Sequence, residues 1–183
     1  RAALRDPVPI DLIDSSAGVS VTVATAGFSV SVNDRANEMK RIKGGAKYTV
    51  SSLVELPKLR RYRLTMTLDG VEHEIEPNLI AIANTPYFGG GMKIAPEAQV
   101  NDGQLDVVVI GPAPRLAFAA VLPTVFSGRH TRSRYVTVHR ASKVELAGAD
   151  MDLRADGESY GSVPMTLTVR EQALLVAGVT ASC

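Results

Sequence analysis

The sequence is short of several features that define protein classes. It has no tryptophan, only 5% aromatic residues, one cysteine and a net charge of +1 over 183 residues. Weak charge and few aromatic rings disfavour a nucleic-acid surface, which depends on basic residues and base stacking. The lone Cys183 excludes an internal disulfide and a cysteine-based zinc site. It agrees with a reducing, cytoplasmic location.

Long apolar runs are also absent. No run approaches the roughly 20 residues that cross a bilayer, and no signal segment is visible. The apolar fraction of 45% nevertheless suffices for a core. With no interior linker, we predict one domain over residues 1–183. The sequence starts at Arg1 rather than at a methionine, so we expect it to be part of a longer protein.

A β-hairpin is the clearest local structure in the sequence. Asp69-Gly70 separates two segments, 62–68 and 71–76, in which apolar and polar residues alternate. An Asp-Gly pair in this setting is the strongest short-range hairpin signal. The two-residue turn predicts the pairs Leu68 with Val71, Leu64 with Ile75, Met66 with His73 and Arg63 with Glu76. One face of the hairpin is therefore predicted to be core and the other charged.

The rest of the sequence is predicted to form short strands and a few helices. Residues 1–18 are predicted to be loop, and the remaining strands and helices follow from periodicity and turn residues. Predicted strands run from Val19 to Gly27, over 79–83 and over 105–110, and shorter predicted pieces lie at 136–138, 144–146, 151–153, 165–169 and 174–176. Predicted helices cover 33–43, 47–56 and 114–127. Many short strands at this spacing are typical of an antiparallel sandwich or barrel.

Basic residues are concentrated between Lys40 and Arg63, where Glu55 is the sole acid. An ordinary solvated helix surface explains such a cluster. The alternative is a basic face that contacts anionic lipid headgroups, which predicts peripheral binding to an anionic membrane.

A long irregular segment from Asn84 to Asp106 joins the two buried strands at 79–83 and 105–110. Ordered segments of this kind are usually functional. Its Gly89-Gly90-Gly91 is not a phosphate-binding loop, because Lys93 follows Met92 and no Ser or Thr comes after it. We expect the glycines to adopt positive φ angles or to allow a close approach.

Two Asp-Gly pairs outside the hairpin are candidate sites. Asp102-Gly103 is either a plain turn or a turn that offers one carboxylate and backbone carbonyls to Mg²⁺ or Ca²⁺. Asp156-Gly157-Glu158 is either a plain hairpin turn or a pair of carboxylates that serve as general base and orienting group.

The order of these motifs resembles a known family. It is similar to the C-terminal domain of the diacylglycerol kinase family, which includes bacterial soluble lipid kinases and sphingosine kinases. The resemblance covers nearly the whole chain and rests on Asn84, Gly89 to Gly91, Ala95-Pro96, Asn101-Asp102-Gly103, Asp106 and Asp156-Gly157-Glu158. It implies a mainly β fold, an antiparallel β-sandwich with a few peripheral helices. It also implies an N-terminal ATP-binding domain, whose Gly-Gly-Asp-Gly-Thr loop does not occur in this sequence.

The resemblance assigns roles to individual residues. Glu158 would be the general base that takes the proton from a lipid hydroxyl, with Asp156 helping to orient it. Mg²⁺ would be held by the side chain of Asp102 and the carbonyls of Gln99 and Gln104. ATP would be the phosphoryl donor, and the isolated domain is expected to be inactive. A non-catalytic lipid-binding module and a kinase of sphingoid-type lipids are the alternatives.

Four bulky residues have two interpretations under this resemblance. They lie near a lipid cleft, or they pack in the core. These residues are Tyr62, Phe88, Met92 and Tyr160.

Overall fold

The computed structural model describes residues 6–39 and 46–177. Their strands are β1 Val8–Ser15, β2 Gly18–Ser20, β3 Val23–Gly27, β4 Leu64–Leu68, β5 Val71–Ile75, β6 Leu79–Ala83, β7 Leu105–Ile110, β8 Val136–Ala141, β9 Lys143–Ala147, β10 Asp152–Ala155, β11 Glu158–Ser162 and β12 Met165–Val176. Their helices are α1 Phe28–Glu38, α2 Ala46–Glu55 and α3 Arg115–Val121. Short 3-10 helices cover Leu56–Lys58, Leu122–Ser127 and Arg129–Arg132. None of these helices is both long and apolar enough to cross a membrane.

The strands form two antiparallel sheets of six strands. The first has the order β2-β1-β12-β9-β4-β5, and the second has the order β11-β10-β3-β6-β7-β8. The predicted β-sandwich with peripheral helices is therefore confirmed, and of the two predicted architectures the sandwich is the correct one.

The second sheet carries a separate core on each of its faces. Along β6, Ile80 and Ile82 belong to the core between the sheets, whereas Leu79, Ala81 and Ala83 belong to a core under the helices. All five residues of β6 are consequently buried. A strand covered on both faces has an uninterrupted apolar sequence, which is why 79–83 shows no alternation.

Aromatic packing fixes α1 and α3 over this sheet. The rings of Phe28 and Phe118 meet edge to face with centroids 4.9 Å apart. Phe28 and Val32 of α1 are buried at a spacing of one helical turn. The helices therefore make a third layer on the outer face of the second sheet.

The predicted hairpin is confirmed in its register. Leu68 pairs with Val71, Leu64 with Ile75 and Met66 with His73. Asp69 and Gly70 have φ angles of 46° and 88°, as a two-residue turn of this type requires. The Arg63 Nε and Glu76 Oε1 atoms are 2.6 Å apart on the exposed face.

Two expectations near the N-terminus are wrong. The predicted loop at 1–18 contains β1, which pairs with β12 along Val8–Ser15. The predicted strand from Val19 to Gly27 is two strands, one in each sheet, separated by a bend at 21–22. Pairing of β1 with a partner some 160 positions away leaves no local signal, and its Asp11 and Asp14 interrupt the apolar pattern.

The helix predictions are partly correct. α1 begins at Phe28 rather than at residue 33, and its predicted end at 43 lies outside the described residues. α2 matches, and the helix at 114–127 is confirmed as α3 plus a 3-10 turn at Pro123. β11 was not predicted, and β12 is one strand where two pieces were expected.

Candidate active site

The Asp156-Gly157 turn connects β10 to β11 and is held by its own aspartate. One carboxylate oxygen of Asp156 accepts hydrogen bonds from Ser20 Oγ (2.9 Å) and the Val21 amide (2.7 Å). The other accepts from the amide (2.9 Å) and the hydroxyl of Thr22. Burial acts to raise the pKa of Asp156, but the hydrogen bonds from Thr22, Val21 and Ser20 hold this pKa below its ordinary value. Asp156 thus anchors the turn to the bend between β2 and β3.

Glu158 is the first residue of β11 and is exposed to solvent. Among the described residues, its carboxylate has no hydrogen-bond partner, and Asp156 directs its own oxygens toward 20–22 instead. Asp156 therefore determines the position of Glu158 through the backbone of the turn and not by direct contact. The Glu158 carboxylate is open to an incoming polar group.

A cavity of about 600 Å³ reaches this turn. It lies between the outer face of the second sheet and α1, α2 and the glycine-rich segment, and Asp156 and Gly157 line it while Glu158 does not. Its apolar walls come from Val21, Val23, Phe28, Val32, Leu79, Phe88, Met92, Ile94, Ile110, Leu122 and Val125. This size and composition are typical of small-molecule sites.

α1 is attached to the turn by one polar contact and to β10 by another. The Asn33 Nδ2 donates to the Gly157 carbonyl over 3.2 Å. The Arg154 Nη2 donates to the Asp34 Oδ1 over 2.8 Å. These contacts therefore hold α1, which covers the cavity, in a fixed position relative to Glu158, the candidate general base.

The triple glycine shapes one wall of the cavity. Gly89, Gly90 and Gly91 have φ angles of 43°, 80° and 93°, which confirms the expected positive values. The turn they form lets Phe88 and Met92 exchange two backbone hydrogen bonds of 3.0 Å. Phe88 and Met92 line the cavity and also pack against the core under the helices, whereas Tyr62 and Tyr160 pack in the core between the sheets.

The predicted metal turn is rich in acid. Asp102 accepts a hydrogen bond from the Gln104 amide (3.1 Å) and pairs with Arg140. Asp106 is 2% exposed, and its Oδ2 has no hydrogen-bond partner. Burial raises the pKa of Asp106 to about 6, with Arg140 opposing the rise and Asp102 and Glu97 adding to it.

A metal ion in this turn would depend on backbone oxygens. The described residues contain no group of three or more His, Cys, Asp or Glu side chains that could hold one. A carboxylate, carbonyls and an acidic surplus are nonetheless the surroundings that Mg²⁺ prefers. The residues present therefore fit the ion that the resemblance implies.

Asp11 is a structural acid that the sequence analysis missed. It is fully buried, and its carboxylate accepts hydrogen bonds of 2.8 Å from the amides of Gly103 and Gln172. Its own amide donates to the Val100 carbonyl over 2.6 Å. These hydrogen bonds hold the predicted metal turn against β1 at Val100 and Gly103. The bond from Gln172 also ties Asp11 to β12. Its position in a predicted loop gave no signal of this role.

Asn84 joins the two candidate sites. Its Nδ2 donates to the Asp11 carbonyl over 2.6 Å, and its amide donates to the Thr22 carbonyl over 2.9 Å. Because Thr22 binds Asp156 and Asp11 binds Gly103, hydrogen bonds run without a break from one Asp-Gly turn to the other. In the sequence, Asn84 marks the start of the irregular segment, and its position indicates no particular contact.

Known proteins similar to this chain are lipid kinases by name. A diacylglycerol kinase of Mycobacterium tuberculosis is 34% identical over 156 residues, which are 85% of this chain and 50% of that protein. A diacylglycerol kinase of Bacillus subtilis is 26% identical over 158 residues, 85% of this chain and 52% of that protein. The chain thus spans about half the length of the curated relatives it matches.

A solved structure and a family model agree with these relatives. The crystal structure of a diacylglycerol kinase from Bacillus anthracis superposes with a TM-score of 0.63 at 15% identity, covering 91% of this chain and 52% of that one, which shows a shared fold. The model described as the YegS C-terminal NAD kinase beta sandwich-like domain matches residues 22–178. The resemblance seen in the sequence is confirmed: this chain belongs to the YegS C-terminal domain family of the lipid kinases.

Proposed function

We propose that this chain is the lipid-binding half of a kinase that transfers a phosphoryl group from ATP to a hydroxyl of diacylglycerol or a related lipid. The observation that carries the proposal is the apolar cavity of about 600 Å³, which reaches the turn immediately before the exposed Glu158. Acyl chains need an apolar space, and the reacting hydroxyl needs a nearby base. The names of the relatives support the same substrate class.

Glu158 acts as the general base in the proposed reaction. Its carboxylate accepts the hydroxyl proton while the lipid oxygen forms a bond to the γ-phosphorus of ATP. The bond from that phosphorus to the oxygen bridging the β-phosphate breaks, and ADP leaves. Phosphoryl transfer demands mainly positioning and charge neutralisation from the protein. Asp156 contributes the positioning because its hydrogen bonds to 20–22 hold the turn in place.

Mg²⁺ is the ion proposed for the Asp102 turn. The Asp102 carboxylate and the carbonyls of Gln99 and Gln104 would hold it. The buried Asp106 Oδ2 accepts no hydrogen bond from the described residues and lies 3.9 Å from the Arg140 Nε, so it adds a second carboxylate beside the turn. When bound, the ion supplies positive charge that compensates the acids and makes the turn rigid.

The ATP-binding part is proposed to lie in a domain outside this chain. The chain alone should therefore form no lipid phosphate from radiolabelled ATP and diacylglycerol in detergent micelles. Transfer above the level of a no-protein blank would contradict this part of the proposal.

The base is tested by Glu158→Gln in the complete protein that contains this chain. We expect kcat to fall by about 10²- to 10⁴-fold, the range that general bases contribute, with an unchanged thermal unfolding midpoint. Glu72→Gln, on the exposed face of β5, is the matched control and should retain wild-type kcat. Near-normal turnover by Glu158→Gln would reject the base, and lipid binding without any turnover in the wild type would favour the non-catalytic module.

Contact with an anionic membrane is the second part of the proposal. Val50, Leu53 and Val54 of α2 are 37%, 64% and 46% exposed, so residues 6–39 and 46–177 leave the apolar face of this helix uncovered. α2 also lines the cavity through Tyr48 and Ser52. Exposed basic residues follow the helix, so apolar and cationic groups are adjacent, as in helices that bind membrane surfaces. They are Lys58, Arg60 and Arg61.

Vesicle co-sedimentation tests this contact. Binding to vesicles of phosphatidylglycerol and phosphatidylcholine should weaken with added salt, because salt screens surface attraction. Leu53→Ser should weaken binding further, whereas Val71→Ser, at a residue 60% exposed on β5, should not. Binding that is insensitive to salt, to lipid charge and to Leu53→Ser would reject the contact.

A further inference from the structure

The cavity is open at one end and closed at the other. At the Asp156 turn it is lined by Val21, Thr22 and Gly157, which are exposed or partly exposed. Phe28 and Leu79 also line it, but they are only 6% and 4% exposed. The cavity therefore has its mouth beside the candidate catalytic turn and a buried floor at the other end.

The strand register places this floor relative to the mouth. Thr22, just before β3, donates to Asp156, whereas Gly27 at the end of β3 pairs with Leu79 and precedes Phe28. Five residue steps of extended chain separate Thr22 from Gly27, a span of about 17 Å at about 3.4 Å per residue. The floor therefore lies about one strand length from the turn.

The volume of the cavity limits how much lipid it holds. A methylene group occupies about 30 Å³, close to the share of one water molecule in the liquid. A cavity of about 600 Å³ therefore holds about 20 such groups. One acyl chain with its glycerol ester reaches this number, and two long chains exceed it. The depth agrees, since a span of about 17 Å takes about 13 carbons at about 1.3 Å each.

We propose that the cavity is a closed-ended site for one acyl chain, and that Phe28 and Leu79 are specificity-determining residues that limit the chain to about 14 to 16 carbons. A chain that just fills the cavity leaves its hydroxyl end at the mouth, near Glu158. A longer chain overpacks the floor or holds the hydroxyl away from this residue. The second chain of a diacyl lipid stays outside. This inference rests on the proposed function of the same site and concerns chain length alone.

The test is a binding competition without ATP in the complete protein. Monoacylglycerols with chains from octanoyl to eicosanoyl displace a polarity-sensitive fluorescent fatty-acid probe, each at the same mole fraction in non-ionic detergent micelles. The micelle already surrounds every chain with an apolar medium, so greater length alone gives no advantage. Wild type should bind the eicosanoyl lipid at least about tenfold more weakly than the tetradecanoyl lipid, the cost of overpacking a filled cavity.

Two substitutions at the floor should shift this limit in opposite directions. Phe28→Val removes part of the floor and should raise the limit by about two carbons, whereas Leu79→Phe fills the end of the cavity and should lower it by about two. Ile82→Val is the matched control, because Ile82 lies on the same strand as Leu79 but faces the core between the sheets. It should keep the wild-type limit.

These outcomes separate the inference from the kinase proposal. Opposite shifts in the two floor variants would support it even if the protein transfers no phosphate. An active kinase that binds all chain lengths equally would overturn it, as would a limit that neither floor variant moves.

Photolabelling of wild type gives a result that depends on no variant. A monohexadecanoylglycerol with a diazirine at the last carbons of its chain should label the peptides that contain Phe28 or Leu79. Labelling at the mouth, on the peptide that contains Thr22 but neither floor residue, would overturn the inference.

Discussion

Two Asp-Gly turns in this protein have nearly the same backbone and different surroundings. Asp69 and Asp156 have φ angles of 46° and 51°, and the glycines that follow have 88° and 89°. Each aspartate accepts hydrogen bonds from a distant segment, Asp69 from Ser142 and Lys143 and Asp156 from 20–22. The first turn is the exposed end of a hairpin, and the second borders a cavity. Local geometry therefore does not distinguish a structural turn from a candidate catalytic one.

The largest expected difference in activity between the two turns comes from the residue after each glycine. It is Val71 in the first turn and Glu158 in the second. Glu158→Val gives the second turn the Asp-Gly-Val sequence of the first, and we expect kcat in the complete protein to fall by about 10²- to 10⁴-fold. Steady-state kinetics and a circular dichroism melt measure the two effects. Activity retained with Val at this position would show that the two turns do not differ in chemistry.

Removal of the aspartate charge should destabilise both turns. Asp69→Asn and Asp156→Asn should each lower the free energy of unfolding by about 1–2 kcal/mol, because backbone amides lose a charged acceptor. Denaturant titration measures this loss. Only Asp156→Asn should also lower kcat/KM in the complete protein, since only its turn positions Glu158. Equal activity losses in the two variants would contradict the comparison.

The pKa values of these two aspartates also predict that the stability of the fold depends on pH. Hydrogen bonds from Ser142 hold the pKa of Asp69 below its ordinary value, and those of Asp156 outweigh burial with the same result. A lowered folded-state pKa stabilises the fold above the unfolded value of 3.8, and this contribution is lost as the pH falls through the folded value. The stability gap between wild type and either Asn variant should therefore close below that pH. A gap that widens on acidification would contradict it.

Substitution of the glycine in each turn should have a smaller effect on stability, and only one of the two substitutions should affect activity. A Cβ at Gly70 or Gly157 meets no atom within 4 Å, so Gly→Ala at either position should cost only the positive-φ strain, about 1–2 kcal/mol. The two losses of unfolding free energy should agree within experimental error. Gly157→Ala should also reduce lipid phosphorylation, while Gly70→Ala should not.

Two exposed or partly exposed ion pairs give the smallest expected effect, one at the open end of the 62–76 hairpin and one beside the Asp156 turn. Arg63 is 87% exposed in its pair with Glu76, so Arg63→Met should change the free energy of unfolding by less than about 1 kcal/mol. Asp34→Asn breaks the partly exposed pair with Arg154 and should likewise change the free energy of unfolding by less than about 1 kcal/mol. Chemical denaturation tests the two variants. A loss of several kcal/mol in Arg63→Met would contradict the low value assigned to the exposed pair.

Elements that depend on neighbouring residues could be predicted from the sequence. The register of the 62–76 hairpin followed from Asp69-Gly70 and alternation, and the buried strands at 79–83 and 105–110 followed from apolar runs between turn residues. α2 was predicted because Pro57 closes an apolar helical pattern. The ordered motifs from Asn84 to Glu158 were sufficient to identify the family.

Contacts between distant parts of the chain, in contrast, are visible only in the folded protein. β1 was missed because its partner is β12, and pairing over that distance leaves no periodic signal. The apolar face of α2 was predicted correctly from the sequence. Its exposure to solvent, however, depends on which surfaces the rest of the chain covers. Asp11 and Arg154 are notable only for their contacts in the folded chain. Asp11 accepts hydrogen bonds from Gly103 and Gln172, and Arg154 pairs with Asp34 and lines the cavity. Burial and hydrogen-bond satisfaction are properties of the assembled fold, so residue type and spacing alone do not reveal them.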